Sequence, residues 1–161
     1  MTMPEIKFHA LSTAEIWKAV GIGVVTALLL SALMVPAFKL GIAPMPQMPS
    51  LAFAETVLGR ELPLPVGLLF HVVYVTFWSV AYVVLFRDYL TFLNALWLGL
   101  ALWIVVLVVF FPIVGWGFLG LGVSPRLIPA ALVPHVLFSV FLWALCRFGF
   151  AQSAITAKSV R

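Results

Sequence analysis

The chain has 161 residues, about the length of one domain, with 65% hydrophobic and 9% charged residues and a formal charge of +4. Soluble globular domains are roughly 45–50% apolar and about 25% charged, so a water-soluble globule is excluded and an integral membrane protein is indicated. The basic residues stand singly and trace no phosphate backbone, which argues against nucleic acid as a partner; one cysteine, Cys146, excludes an internal disulfide and a multi-cysteine zinc site.

Hydropathy predicts a single all-α domain with four membrane-crossing helices, at about residues 14–40, 65–86, 89–114 and 127–148. The first apolar run, residues 19–38, is longer than a signal-peptide core and reads as a retained span. Spans two and three are separated only by Arg87 and Asp88, which requires a tight antiparallel hairpin with Asp88 placed to N-cap the third helix. With the N-terminus inside, Lys7, Lys18, Arg87, Arg147, Lys158 and Arg161 fall on one side, and Lys39, Arg60 and Arg126 on the other. That bias predicts cytoplasmic termini.

The first outer loop opens with the proline-rich "GIAPMPQMPS", which cannot be helical. After it, Ser50 is a candidate N-cap, Leu51, Ala54, Leu58 and Leu62 repeat at helical spacing, and Gly59 marks an end. A short helix lying in the membrane interface is expected there.

Helices in lipid associate through close contact of small residues. Gly23, Ala27 and Ser31 recur every four positions on the first span, as do Ala95 and Gly99 on the third, so these are expected packing faces. Trp17 and Trp116 stand where interfacial anchors belong, while Trp78 and Trp103 fall deeper. Spans one and three each carry a late proline, Pro36 and Pro112, with a glycine five residues on. Spans two and four each carry a proline six residues before a histidine, Pro65 before His71 and Pro129 before His135. Two hairpins in parallel repeat would produce this pattern.

Gly115 to Gly120, "GWGFLG", matches a dinucleotide fingerprint literally, but a membrane helix precedes it and no acid follows, so it reads as a flexible outer loop. Cys146 beside Arg147 reads as a buried thiol rather than a lipidation site. The five acids fall outside or at the edges of the spans and no catalytic triad is visible, so no catalytic residues are assigned and an enzyme is not expected. Glu55, Glu61, His71 and His135 share the outer side, yet their spacing gives no metal site.

His71 and His135 are the sharp features, because intramembrane ionisable residues are rare and face inward. Each lies six residues past its proline, about 9 Å along the helix at 1.5 Å per residue, hence at matched depth. Tyr74 shares the stripe of His71, and Ser139 that of His135. The four are expected to line one polar pocket, since an imidazole facing hydrocarbon would lose roughly 2–7 kcal/mol of hydrogen bonding. Three roles stay open. Each ring can bond a backbone carbonyl or a hydroxyl locally, the pair can form a ligand or proton pathway, or the two rings can ligate haem b axially. Bulky neighbours count against haem.

The stretches "PSLAFAETVLGRELP", "GLLFHVVY", "PIVGWGFLG" and "HVLFS", within residues 45 to 145, resemble families of small bacterial four-helix membrane proteins known only as domains of unknown function. Those families usually place a glycine four residues after each histidine, where this chain has Val75 and Ser139. The resemblance implies fold and membrane location, without an activity. The sequence therefore reads first as a non-enzymatic accessory or structural membrane component, packed against other subunits or copies of itself and needing no cofactor. A small transporter or channel using the histidine pair is second, and a haem b electron-transfer subunit third.

Overall fold

The computed structural model describes residues 11–87 and 89–159, with side chains as far as Phe150. It is an all-α bundle of four long apolar helices, each long enough to cross a membrane, plus one short helix. The elements are α1 (Thr13–Lys39), α2 (Pro49–Leu58), α3 (Leu64–Leu85), α4 (Phe92–Ile113) and α5 (Leu127–Ser159).

Local chemistry sets the ends. Ser12 and Glu15 form a reciprocal capping box at the start of α1, with Ser12 Oγ accepting from the Glu15 N–H at 3.3 Å and Glu15 Oε2 accepting from the Ser12 N–H at 3.0 Å. The short helix α2 begins with Pro49 in its first turn after Met48, so Ser50 lies inside the helix rather than capping it. It ends on Gly59, whose φ of 65° is the left-handed conformation that glycine adopts without strain. Glu55 accepts from the Gln47 side chain at 2.9 Å and from the Leu62 N–H at 3.1 Å, tying down the chain on both sides of α2. Span α4 is capped by Thr91, which accepts from the Asn94 N–H, and starts three residues later than the hydropathy reading; Asp88, the expected cap, lies outside the described residues.

The backbone approaches are tightest where side chains are smallest. A Cβ added at Gly23 of α1 would sit 2.7 Å from Thr76 Cα of α3, and one at Gly99 of α4 would sit 2.7 Å from the His135 carbonyl oxygen of α5. Ala19, Ala27 and Ala95 are fully buried in these seams. Hydroxyls in the same seams turn back onto their own helices: Thr26 to Ile22 O and Ser79 to Val75 O, both at 2.8 Å. Ser31 sits beyond Ala27 with its hydroxyl buried and unbonded.

Helix α1 packs on α3 and α5, and α5 packs on α4, giving the ring order α3, α1, α5, α4. The ring is open between α3 and α4, although a short linker joins them and Tyr82 bonds the Thr91 carbonyl across it at 2.8 Å. A parallel repeat would pair α1 with α5 and α4 with α3 alike, yet the first pair packs closely and the second makes no comparable contact. The packing between the hairpins is therefore not that of a symmetric repeat.

The larger core fills the half of the bundle nearer the termini, with Ile22, Tyr82, Val83, Leu142 and Cys146 among its members. A smaller one, around Leu107, Phe111, Trp116 and Leu127, lies at the opposite, distal end beneath the α4–α5 loop. Trp116 is thus a core residue at 7% exposure rather than an interfacial anchor, whereas Trp17 is 69% exposed. The "GWGFLG" loop is built rather than loose. Gly120 takes φ 77° against Phe111 and Leu127, and the Gly122 N–H bonds the Trp116 carbonyl at 3.0 Å.

The seam at Gly23 generates a test. Gly23→Leu is expected to lower the thermal midpoint in detergent sharply or abolish monodisperse protein, because Thr76 backbone stands where the side chain must go. Leu28→Phe, at a position 57% exposed, is expected to shift the midpoint by no more than a degree or two. Equal loss at both positions would show that the seam is not what holds α1 to α3.

Candidate functional site

A cavity of about 640 Å³ occupies the distal half of the bundle, and all four spans and α2 contribute to its wall. Its floor is the upper layer of the main core, Leu30, Val75, Leu102 and Phe138. Phe53 of α2 roofs it, with ring centroids 4.8 Å from Phe110 of α4 and 6.4 Å from Phe70 of α3. On α3 the lining residues Leu69, Val73 and Phe77 are more than 60% exposed, so the cavity opens sideways through the gap between α3 and α4. A mouth at that height in a membrane-crossing bundle faces acyl chains.

The volume lies within the ~300–1,000 Å³ typical of small-molecule sites, and the composition fits them as well, mostly apolar with a few convergent polar groups. Those groups are Ser50 from α2, His71, Tyr74 and Trp78 from α3, and His135 from α5. Both imidazoles belong to the wall of the same cavity.

Their hydrogen bonding differs. His135 Nδ1 lies 2.6 Å from the Ala131 carbonyl. A carbonyl only accepts, so Nδ1 carries the proton and Nε2 keeps its lone pair. His71 hydrogen-bonds to none of the described residues. The Tyr74 hydroxyl is buried and also unbonded; the Trp78 indole is its neighbour, but not at hydrogen-bonding geometry. Polar groups left open inside a membrane bundle are costly, and a bound ligand with its own polar atoms removes the cost.

Ser139, the fourth member of the expected pocket, does not line the cavity. It is fully buried against Gly99 and donates to the His135 carbonyl at 2.9 Å, because the close α4–α5 approach leaves its hydroxyl only a backbone partner. The pocket itself is apolar rather than polar. Glu55 is engaged in the α2 clasp, Glu61 is exposed, and no group of three metal-ligating side chains occurs among the described residues.

The sequence reading also missed a π-helical turn. Residues Val106–Phe110 are wound so that the Phe111 N–H bonds the Val106 carbonyl, five residues back. Such turns rotate whatever follows and concentrate at functional sites. Here Val106 and Phe110 line the cavity, while Phe111 turns into the distal core. Pro112, which lacks an N–H, was the one signal of irregularity in that stretch.

No family model matches the chain, and no curated protein or solved structure matches it either.

Gly99 couples packing to the site, since it lies against the backbone that carries His135. Gly99→Ala is expected to destabilise the protein by about 1–3 kcal/mol through overpacking. In the variant, the imidazole NMR signals of His135 should shift far more than those of His71. Unchanged His135 signals would mean that the seam does not position the ring.

Proposed function

We propose that the protein is a non-enzymatic, multi-pass membrane component that holds a small lipid-accessible ligand between its spans. The observation that carries this reading is the lateral cavity into which His71, Tyr74 and His135 converge with hydrogen-bonding capacity to spare. Two of the acids are occupied structurally, Glu15 in the capping box and in an ion pair with Arg87, and Glu55 around α2. A role as an accessory subunit suits such a holder of a ligand. A transporter using the histidine pair is the second reading, favoured by the lateral mouth and opposed by the packed core that fills the half below it.

Cytoplasmic termini in a bacterial inner membrane are part of the same proposal. At the end of the bundle carrying the termini, Arg87 pairs with Glu15, Lys18 donates to the Gly149 carbonyl at 3.0 Å, and both cations lie over the Phe150 ring. This clustering supports a positive, inward-facing end; Lys7, Lys158 and Arg161 lie outside the described side chains. Reporter fusions at Arg161 should signal from the cytoplasm and insertions within residues 43–61 from the other side. The opposite result would reverse the assignment.

The ligand itself is testable. Protein purified in mild detergent should release about one organic molecule per chain on solvent extraction, measured by mass spectrometry. Val73→Trp, which narrows the exposed mouth at little cost to folding, should reduce that yield several-fold, and Leu28→Phe should not. Wild-type protein that yields no bound molecule, and whose melting no amphiphile or porphyrin raises, would overturn the reading.

A further inference from the structure

We infer that the ligand is a non-covalently bound haem of the b type, with His71 and His135 as its two axial ligands. This rests on the ligand-binding reading above and names its chemistry. Two imidazoles are too few for a bare metal ion, since zinc sites take three or four protein ligands and no third group joins the pair among the described residues. Two is the right number for an iron that brings four porphyrin nitrogens with it.

Four features agree. First, the ring order puts α3 and α5 diagonally across the bundle, with α1 and α4 between them on either side. A disc held between diagonal ligands presents its edges to the other two helices. The cavity wall supplies apolar side chains there, Leu30 and Met34 on α1 and Val106 and Phe110 on α4. The volume of about 640 Å³ beside the rings removes the objection that bulky neighbours leave no room.

Second, the His135 bond to the Ala131 carbonyl is the arrangement that metal-bound histidines adopt, the outer ring nitrogen donating and the inner one keeping its lone pair. It fixes the tautomer that ligates through Nε2. Third, His71 spends neither nitrogen on any described residue, so both remain for iron and for an outer partner. Fourth, Phe38, Met45 and Met48 are shared between the cavity and a shallower recess of about 190 Å³ that contains Lys39 and Gln47. The Lys39 cation at that rim suits a propionate, whereas the cavity wall itself carries no acidic or basic side chain apart from the histidines. The chain's one cysteine, Cys146, lies in the core nearer the termini, so covalent thioether attachment is excluded.

Full-length protein from haem-replete membranes, or titrated with haemin in detergent, should carry about one haem per chain. The expected spectrum is low-spin, with sharp visible bands on dithionite reduction, and acid solvent should extract all of the haem. His71→Ala and His135→Ala should each lower haem affinity at least ~10-fold, since loss even of an outer partner costs a metal site that much. Any haem that stays bound should be high-spin. Because either variant could fold poorly, His71→Met and His135→Met give a second reading. Each should keep a low-spin haem but raise its midpoint potential, as an axial methionine does. Lys39→Ala should weaken haemin binding without moving the bands. Wild-type protein that takes up no haemin overturns the assignment, as does haem bound equally well without both histidines. If haem fails while Val73→Trp still displaces another extracted molecule, ligand binding stands and haem alone falls. If no molecule binds, both fall.

Discussion

Two backbone approaches govern the rest of this bundle, α1 against α3 at Gly23 and α4 against α5 at Gly99. Lipid supplies no hydrophobic drive to bring helices together, so association depends on close packing over many atoms, which only small residues permit. Each approach draws one hairpin tight. Between hairpins, only α1 and α5 close up, and the remaining pair, α3 and α4, stay apart. The cavity is what that unequal packing leaves. Phe53 closes its top and the Leu30–Val75–Leu102–Phe138 layer its bottom, so the opening is confined to the side.

Polar groups divide along the same line. In the tight seams, Thr26, Ser79 and Ser139 bond carbonyls of their own helices and ask nothing of a neighbour. Around the cavity, His71 and the Tyr74 hydroxyl have no such partner, and His135 uses only one of its nitrogens. The three seam hydroxyls reach back one turn, whereas those of Ser31 and Thr76, also buried, do not. His135 reaches back too, through Nδ1 to the Ala131 carbonyl, but its Nε2, the His71 ring and the Tyr74 hydroxyl find no partner among the described residues.

The spans were legible because twenty-residue apolar runs admit one reading in a bilayer, and α2 was legible from the change between a proline-rich stretch and helical spacing closed by Gly59. The matched histidines were visible as ionisable residues where few occur. Other features were hidden for identifiable reasons. Ser139 shares a stripe with His135, but stripe membership does not say whether the facing helix presents a side chain or a bare glycine. Trp116 follows the end of a span, where a tryptophan often marks the interface; the positive-φ glycines around it fold the chain back and carry the indole into the distal core. The π-helical turn has no periodicity that an apolar run can reveal. The cavity depends on which helices fail to touch, and no single span encodes that.

His135, at the end of the Gly99 seam, links the packing of α4 on α5 to the cavity. Ser139 bonds the His135 carbonyl at 2.9 Å, and the same carbonyl lies where a Gly99 side chain would stand. The backbone beneath the ring is therefore clamped from two directions. Pro134, one residue earlier, contributes no N–H to the helix, so the local ladder alone would leave this turn loose. Above the clamp, the bond from Nδ1 to Ala131 fixes the ring itself. Precision of this kind is wasted on a histidine that merely fills space, for which any apolar residue of similar volume would cost less in lipid. His71 sits opposite with no comparable restraint, on the helix that borders the open side of the ring. A held group and a free one on the wall of one cavity, with the mouth on the free side, is the arrangement that supports the proposed ligand binding.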